Sequence, residues 1–194
     1  MGPRFLITGT GAGVGKTTVG CALGFALRAR GLRVGVMKPA DSLESKDAQA
    51  LAIAVGSDLP PDLICPYRYS STPAPADAPD LAHISRCFDE IAAQNDVVLV
   101  ESASMIDFAD LAAILSLEVI VVVGNRPGCV DVTALTLQRC ESRELKVAGY
   151  ILCDCDPAAI DANEASLNRI ARAPYLGRMR HREPLAKAIV EKLV

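Results

Sequence analysis

The chain lacks what would place it in a bilayer, on nucleic acid or around a structural metal. No apolar run is long enough to cross a membrane; the longest, Val119 to Val123, reads as a buried strand. The first apolar stretch, Phe5-Leu6-Ile7, runs straight into glycines and is too short for a signal peptide, so a cytoplasmic location is expected. Positive charge is not in excess: 20 Lys and Arg face 23 Asp and Glu, for a net charge of -3, which argues against a broad nucleic-acid surface. Histidine is limited to His83 and His181, and the seven cysteines include no Cys-x-x-Cys. Cys153-x-Cys155 is a poor metal clip, so no zinc site is expected; an odd count reads as free, mostly buried thiols in a reducing compartment. Charged residues make up only 22% against 51% hydrophobic, which excludes wholesale disorder. With neither an internal repeat nor a linker, residues 1–194 are expected to form one domain.

What is present is an alternation of strand-like and helical segments. Strands are expected at Arg4 to Thr8, Arg33 to Met37, Asp96 to Val100, Val119 to Val123 and Lys146 to Cys153. Helices are expected at Lys16 to Arg30, Asp47 to Val55 (stopped by Gly56), Asp80 to Gln94, Phe108 to Ser116, Asp131 to Arg143, Asp161 to Arg172 and Pro184 to Leu193. Residues 57 to 79, with Pro60-Pro61 and Pro73-Ala74-Pro75, read as a long irregular connection of the kind that often carries function. Val97-Val98-Leu99-Val100 and Ile120-Val121-Val122-Val123 are apolar without alternation, the pattern of strands covered on both faces. The expectation is a doubly wound, mostly parallel α/β sheet flanked by helices, of the P-loop NTPase type.

Ligands of such sheets collect at the carboxyl ends of strands, where four clusters fall. Gly9-Thr10-Gly11-Ala12-Gly13-Val14-Gly15-Lys16-Thr17-Thr18 sits between a strand and a helix. Glycines let backbone N–H groups wrap a polyphosphate, the helix start adds its positive end, Lys16 reaches the terminal phosphates and the Thr17 hydroxyl suits Mg²⁺. The usual Walker spacing puts the first glycine at Thr10; here it lies one residue earlier. Lys38-Pro39, with Ser42 and Asp47 beyond, either faces those phosphates from the other side or is a solvated lysine beside a helix cap. Glu101 ends a strand as a Walker B acid does, or is a surface carboxylate. Gly124-Asn125-Arg126-Pro127-Gly128-Cys129-Val130-Asp131 binds a carboxylate through backbone N–H groups, or is only a turn.

Taken in order, these clusters resemble the dethiobiotin synthetases, ATP-dependent carboxylases that close the ureido ring in biotin synthesis. Thr8-Gly9-Thr10…Val14-Gly15-Lys16-Thr17 is similar to the family's extended P-loop, offset glycine included. Lys38-Pro39…Ser42…Asp47-Ala48 resembles its second motif and Val98-Leu99-Val100-Glu101 its acidic strand. Val121-Val122-Val123-Gly124…Gly128-Cys129-Val130-Asp131…Leu135-Thr136 resembles its substrate-carboxylate turn, and Leu176-Gly177 its late strand.

The resemblance implies ATP and Mg²⁺ as cofactors. The nucleotide would be held by Gly11, Ala12, Gly13, Val14, Gly15, Lys16, Thr17 and Thr18, with Cys153 and Asp154 at the base, and the metal by Thr17, Asp47 and Glu101. Catalysis would fall to Lys38, Lys16 and Ser42. The small-molecule diamine 7,8-diaminononanoate would combine with CO₂ to a carbamate, be phosphorylated and cyclise. Ser42 and the turn Gly128, Cys129, Val130 and Asp131 would hold the substrate, the turn acting across a homodimer; neither nucleic acid nor membrane is implied.

The chain departs from the family pattern at several points. Glu101-Ser102-Ala103-Ser104-Met105 replaces Glu-Gly-Ala-Gly-Gly, before a shorter loop. Gly11-Ala12 replaces an Asp-Thr pair, Cys153 stands at the base-reading asparagine, Pro127 enters the carboxylate turn, and Asp131 replaces an asparagine there. These departures keep two other activities open: a P-loop ligase or amidotransferase with another substrate, and a nucleotide-switched ATPase of the ParA/MinD kind.

Overall fold

The computed structural model describes residues 2–70, 78–154, 159–180, 185 and 187–194. The parallel sheet is built from β1 (Arg4–Gly9), β2 (Val34–Met37), β5 (Val97–Glu101), β6 (Glu118–Gly124), β7 (Val147–Cys153) and β8 (Tyr175–Met179), in the order β2-β5-β1-β6-β7-β8. Helices α1 (Lys16–Arg28), α2 (Asp47–Val55) and α8 (Lys187–Glu191) cover one face, and α4 (Leu81–Gln94), α5 (Phe108–Ile114), α6 (Cys129–Ser142) and α7 (Asp161–Ile170) the other. Alternate residues of each strand feed opposite cores. Leu6 packs with Val98, Val100 and Phe88 on one side; Phe5 and Ile7 pack with Leu23, Leu99 and Val122 on the other. The unbroken apolar runs are therefore strands buried on both faces, as expected.

Element boundaries move by a few residues from the expected ones. Glu101 is the last residue of β5 rather than the first beyond it. Helix α6 starts at Cys129, because Gly128 takes the left-handed conformation (φ 79°) and caps it there. Gly56 stops α2 in the same way (φ 55°).

The larger correction lies between residues 57 and 79. Pro61 opens a helical turn, α3 (Pro61–Ile64), where a first-turn proline loses no hydrogen bond. Then β4 (Tyr67–Tyr69) pairs in parallel with β3 (Ala40–Ser42), an element without a sequence signal of its own. Three-residue strands are too short for periodicity to reveal. The expected features at Pro73-Ala74-Pro75, Cys155, His181 and Pro184 lie outside the described residues.

Candidate active site

Strand order brings the expected clusters together. With β1 between β5 and β6, and β2 outside β5, the carboxyl ends deliver Lys38, Glu101, Gly9 and Gly124 to one edge. Gly9, Lys38 and Glu101 border a cleft of 1040 Å³, lined also by Gly11 to Gly13, Gly15 to Thr18 and Asp47 among others.

The offset glycine has a packing reason. A Cβ at Gly9 would lie 2.6 Å from Val14 Cγ2 and 3.2 Å from the Val122 carbonyl oxygen; at Gly124 it would meet Val14 Cγ1 at 2.9 Å. Val14 is fully buried, pinning the loop between β1 and β6, so its side chain is a strut and only its backbone can serve a nucleotide. The Thr10 N–H donates to the Val122 carbonyl (3.0 Å), and Thr10 Oγ1 accepts the Gly124 N–H (3.3 Å). Gly15, at φ 93°, leads into α1 with no side-chain cap, so the first-turn N–H groups of Lys16, Thr17 and Thr18 are left for an anion. Lys16 Nζ folds back to the Gly11 carbonyl at 3.1 Å. Burial lowers the Lys16 pKa, the Glu101 charge opposing it and Lys38 adding to it.

The charged centre lies beside this loop. Lys38, 6% exposed, donates to Glu101 Oε1 at 2.7 Å and to Asp47 Oδ2 at 2.8 Å, and Thr17 Oγ1 donates to Glu101 Oε1 at 3.0 Å. Both open readings are decided: Lys38 is not a solvated lysine, and Glu101, 1% exposed, is not a surface acid. Burial alone would lower the Lys38 pKa, but the Glu101 charge and the hydrogen bonds to both carboxylates raise it overall. Burial raises the Glu101 pKa against the pull of Lys38. Asp47 titrates below the ordinary range: burial raises it, and the Lys38 hydrogen bond and charge outweigh that. Asp47 is also the first residue of α2, so it serves the helix start and the site together.

Thr17, Asp47 and Glu101 offer oxygen donors only, and Glu101 Oε2 is buried with no partner, so this set fits a hard cation. Among the described residues no three His, Cys, Asp or Glu side chains gather. Two carboxylates and a hydroxyl would be part of a Mg²⁺ shell, the rest of which waters and phosphate oxygens would supply.

The remaining expected residues are divided between the cleft wall, the core and the surface. Ser42 lines the cleft and its Oγ accepts the Ser45 N–H at 3.1 Å. Cys153, 2% exposed, is packed in the core with Ile151, Leu176 and Met179, its carbonyl taken by the Asn125 N–H. Its side chain is therefore not presented to a base. Asp154, 8% exposed, accepts from Arg178 Nε (2.9 Å) and from Asn125 Nδ2 (2.8 Å), so its carboxylate is engaged within the fold. Gly128 to Asp131 lie outside the cleft lining. The Cys129 N–H bonds the Arg126 carbonyl at 3.1 Å, which withdraws one of the amides expected to hold a carboxylate. Sequence reasoning missed Asp41, Tyr69 and Ser70 on the cleft wall; an acid inside Lys38-Pro39-Ala40-Asp41-Ser42 was the available signal.

A family model described as an AAA domain matches residues 3–188. The chain is 40% identical over 199 residues to the ATP-dependent dethiobiotin synthetase BioD of Anaeromyxobacter dehalogenans (strain 2CP-C), covering 93% of this chain and 86% of that one. The chain belongs to the dethiobiotin synthetase family. The synthetase of Xylella fastidiosa (strain 9a5c) is 35% identical over 205 residues, covering 93% of this chain and 91% of its own. Among solved structures, the cell division ATPase MinD of Pyrococcus furiosus superposes with a TM-score of 0.64 at 16% identity, covering 99% of this chain and 98% of that one. That likeness is one of fold. At 35% to 40% identity it is the synthetases, not the MinD-like ATPases, with which the chain shares its sequence.

Proposed function

We propose that the chain is an ATP-dependent dethiobiotin synthetase, closing a cyclic urea from 7,8-diaminononanoate and CO₂. The observation that carries this reading is Lys38, a buried ammonium at 2.7 and 2.8 Å from Glu101 and Asp47, in the same cleft as Lys16. One amine of the diamine adds to CO₂ as a carbamate, whose negative oxygens belong beside Lys38 and Ser42. The loop amides of Gly11 to Gly15 and Lys16 hold the polyphosphate of ATP, whose terminal phosphoryl group passes to the carbamate oxygen. The second amine then attacks the carbamoyl carbon, the C–O bond to phosphate breaks and the ring closes. Charge grows on the transferring oxygens throughout, and two convergent lysines stabilise it in place, with little reorganisation. Mg²⁺ would be held by Thr17, Asp47 and Glu101, where it would neutralise phosphate charge.

The substrate class is a small molecule. The chain acts as a homodimer in this reading, with the Gly128 to Asp131 turn, outside its own cleft, serving the partner. A cytoplasmic location is supported by the free thiols of Cys21, Cys65, Cys87, Cys129 and Cys140. Among the described residues no helix is long and apolar enough to cross a membrane. The test is ADP release with MgATP and bicarbonate, with and without the diamine. Diamine-dependent turnover is expected; a folded, ATP-binding protein that the diamine does not stimulate would refute the reading.

A further inference from the structure

Asp41 lies outside the phosphate loop and acts on the Lys38 centre through its charge, which helps to raise the Lys38 pKa. It is the middle residue of β3, 7% exposed, and stands in the cleft wall near Ser42, Ser45, Tyr69 and Ser70. Its Oδ1 accepts the Ser42 N–H at 2.9 Å, while Oδ2 is buried with no hydrogen-bond partner among the described residues. The nearby cations are already committed. Arg68, its register partner on β4, turns its guanidinium to the carbonyls of Leu43 (3.1 Å) and Ser45 (3.3 Å), and Lys38 serves Asp47 and Glu101.

A carboxylate oxygen that is taken from water and given no donor is unfavourable unless a ligand supplies one. Aspartate χ2 is a broad, two-fold torsion, so a small rotation turns the free oxygen toward the cleft while the backbone of β3 stays in register. The matching ligand is a cation rich in donors. A second metal ion is a poor match, because one carboxylate close to the Lys38 ammonium offers too few oxygens. A primary ammonium, with three N–H donors and a single charge, fits.

We propose that Asp41 binds a primary ammonium of the substrate. Resting on the synthetase reading above, this assigns it the amine that is not being carboxylated, held on the β3 wall while the other amine faces Lys38. Asp41 is then a specificity-determining residue that favours diamines over monoamines.

The test compares wild type with Asp41→Asn, which keeps the side-chain shape and an acceptor for the Ser42 N–H. Loss of one charge-assisted hydrogen bond raises the diamine KM by about 10- to 100-fold. The KM for ATP stays at its wild-type value and the unfolding midpoint does not fall, which separates substrate binding from a structural role. A monoamine analogue, as competitive inhibitor, binds the two proteins with equal affinity when its amine occupies the Lys38 side alone. An unchanged diamine KM overturns the assignment of Asp41 and leaves the synthetase reading intact. Absence of diamine-dependent turnover in wild type overturns the synthetase reading instead. Asp41 is then judged by thermal shift with the diamine alone: stabilisation of wild type and not of Asp41→Asn supports the ammonium site, and equal shifts, or none, reject it. If Asp41→Asn fails to fold, Asp41→Ser is read by the same measurements.

Discussion

Replacing Lys38 by alanine separates the structural role of the charged centre from its chemical role. Lys38 and Glu101 are 6% and 1% exposed and 2.7 Å apart, so truncation leaves a buried carboxylate with the Thr17 hydroxyl, at 3.0 Å, as its remaining donor. Asp47, with 42% of its side chain exposed, can turn to water and suffers less. Breaking a buried ion pair from one side costs about 3–5 kcal/mol. Each kcal/mol lowers the melting midpoint of a chain this size by about 2–4 °C, so Lys38→Ala should melt about 6–20 °C below wild type. The loss depends on pH. Burial already raises the Glu101 pKa, and removing Lys38 raises it further. Between its unfolded and folded values the native state binds more protons than the unfolded one, so stability falls as pH rises, by up to about 1.4 kcal/mol per unit. Differential scanning calorimetry from pH 4.5, the ordinary glutamate value, upward should show the variant losing ground to wild type as pH rises. Glu101→Gln in the same background, by removing the orphaned charge, should restore most of the midpoint. In the ADP-release assay Lys38→Ala should keep ATP binding and lose diamine-dependent turnover by about 100-fold or more. A wild-type midpoint with no pH dependence would refute the buried pair, and loss confined to ATP affinity would refute the assignment to the carbamate.

Lys16→Ala should abolish turnover through loss of the terminal-phosphate contact, and retained turnover would refute that contact. Gly9→Ala places a methyl group 2.6 Å from Val14 Cγ2 and should cost about 1–3 kcal/mol in urea melts, with Val14→Ala in the same chain recovering part of it; an additive double mutant would show that the two do not touch. Asp96, paired with Arg33 by side-chain and backbone hydrogen bonds, has its pKa lowered to about 2. Its contribution is present above the ordinary carboxylate range and lost as pH falls toward about 2, so an NMR titration should find the low midpoint in wild type and an ordinary one in Arg33→Ala. Burial pushes the thiols of Cys65 and Cys140 up to about 11, so both should resist alkylation in native protein at pH 8; rapid labelling there would contradict their burial.

How much could be read from the sequence differs between the two halves of the cleft for a physical reason. The phosphate half is made of backbone. Gly9, Gly124 and Val14 are fixed by the close approach of β1, the loop and β6, and that requirement restricts residue identity strongly enough to leave a motif. The strands beneath it are buried on both faces, so their apolar runs announced a parallel sheet. Lys38 and Glu101 were placed correctly at strand ends, yet their state was not legible: a lysine and an acid 63 positions apart carry no sign that they meet at 2.7 Å until β2 is seen to pair with β5. The β3–β4 pair escaped notice because three alternating residues in each strand are no more than composition supplies by chance. The burial of Cys153 was equally illegible, since strand position alone cannot tell whether a side chain at the sheet edge turns toward ligand or core.

The departures from the family pattern are unevenly distributed over the cleft. Ser102 to Met105 belong to the walls on which a diamine would lie, as does Asp41, whereas the loop that faces the phosphates departs at Gly11-Ala12. A side chain lost from one wall can be replaced by one on another, provided the new group supplies the charge the ligand needs. Ser104 and Met105 bring no charge to a cationic substrate, and Asp107, which begins α5, is engaged by Arg139 at 2.9 Å. Glu101 and Asp47 are matched by Lys38. That leaves Asp41 as the acid through which the remodelled walls can still distinguish a diamine from a neutral chain of the same length. If the substrate were uncharged, a buried carboxylate oxygen without a donor would be a standing cost with no compensating contact. Asp41→Asn would then leave the diamine KM at its wild-type value, the opposite of the rise that the ammonium site requires.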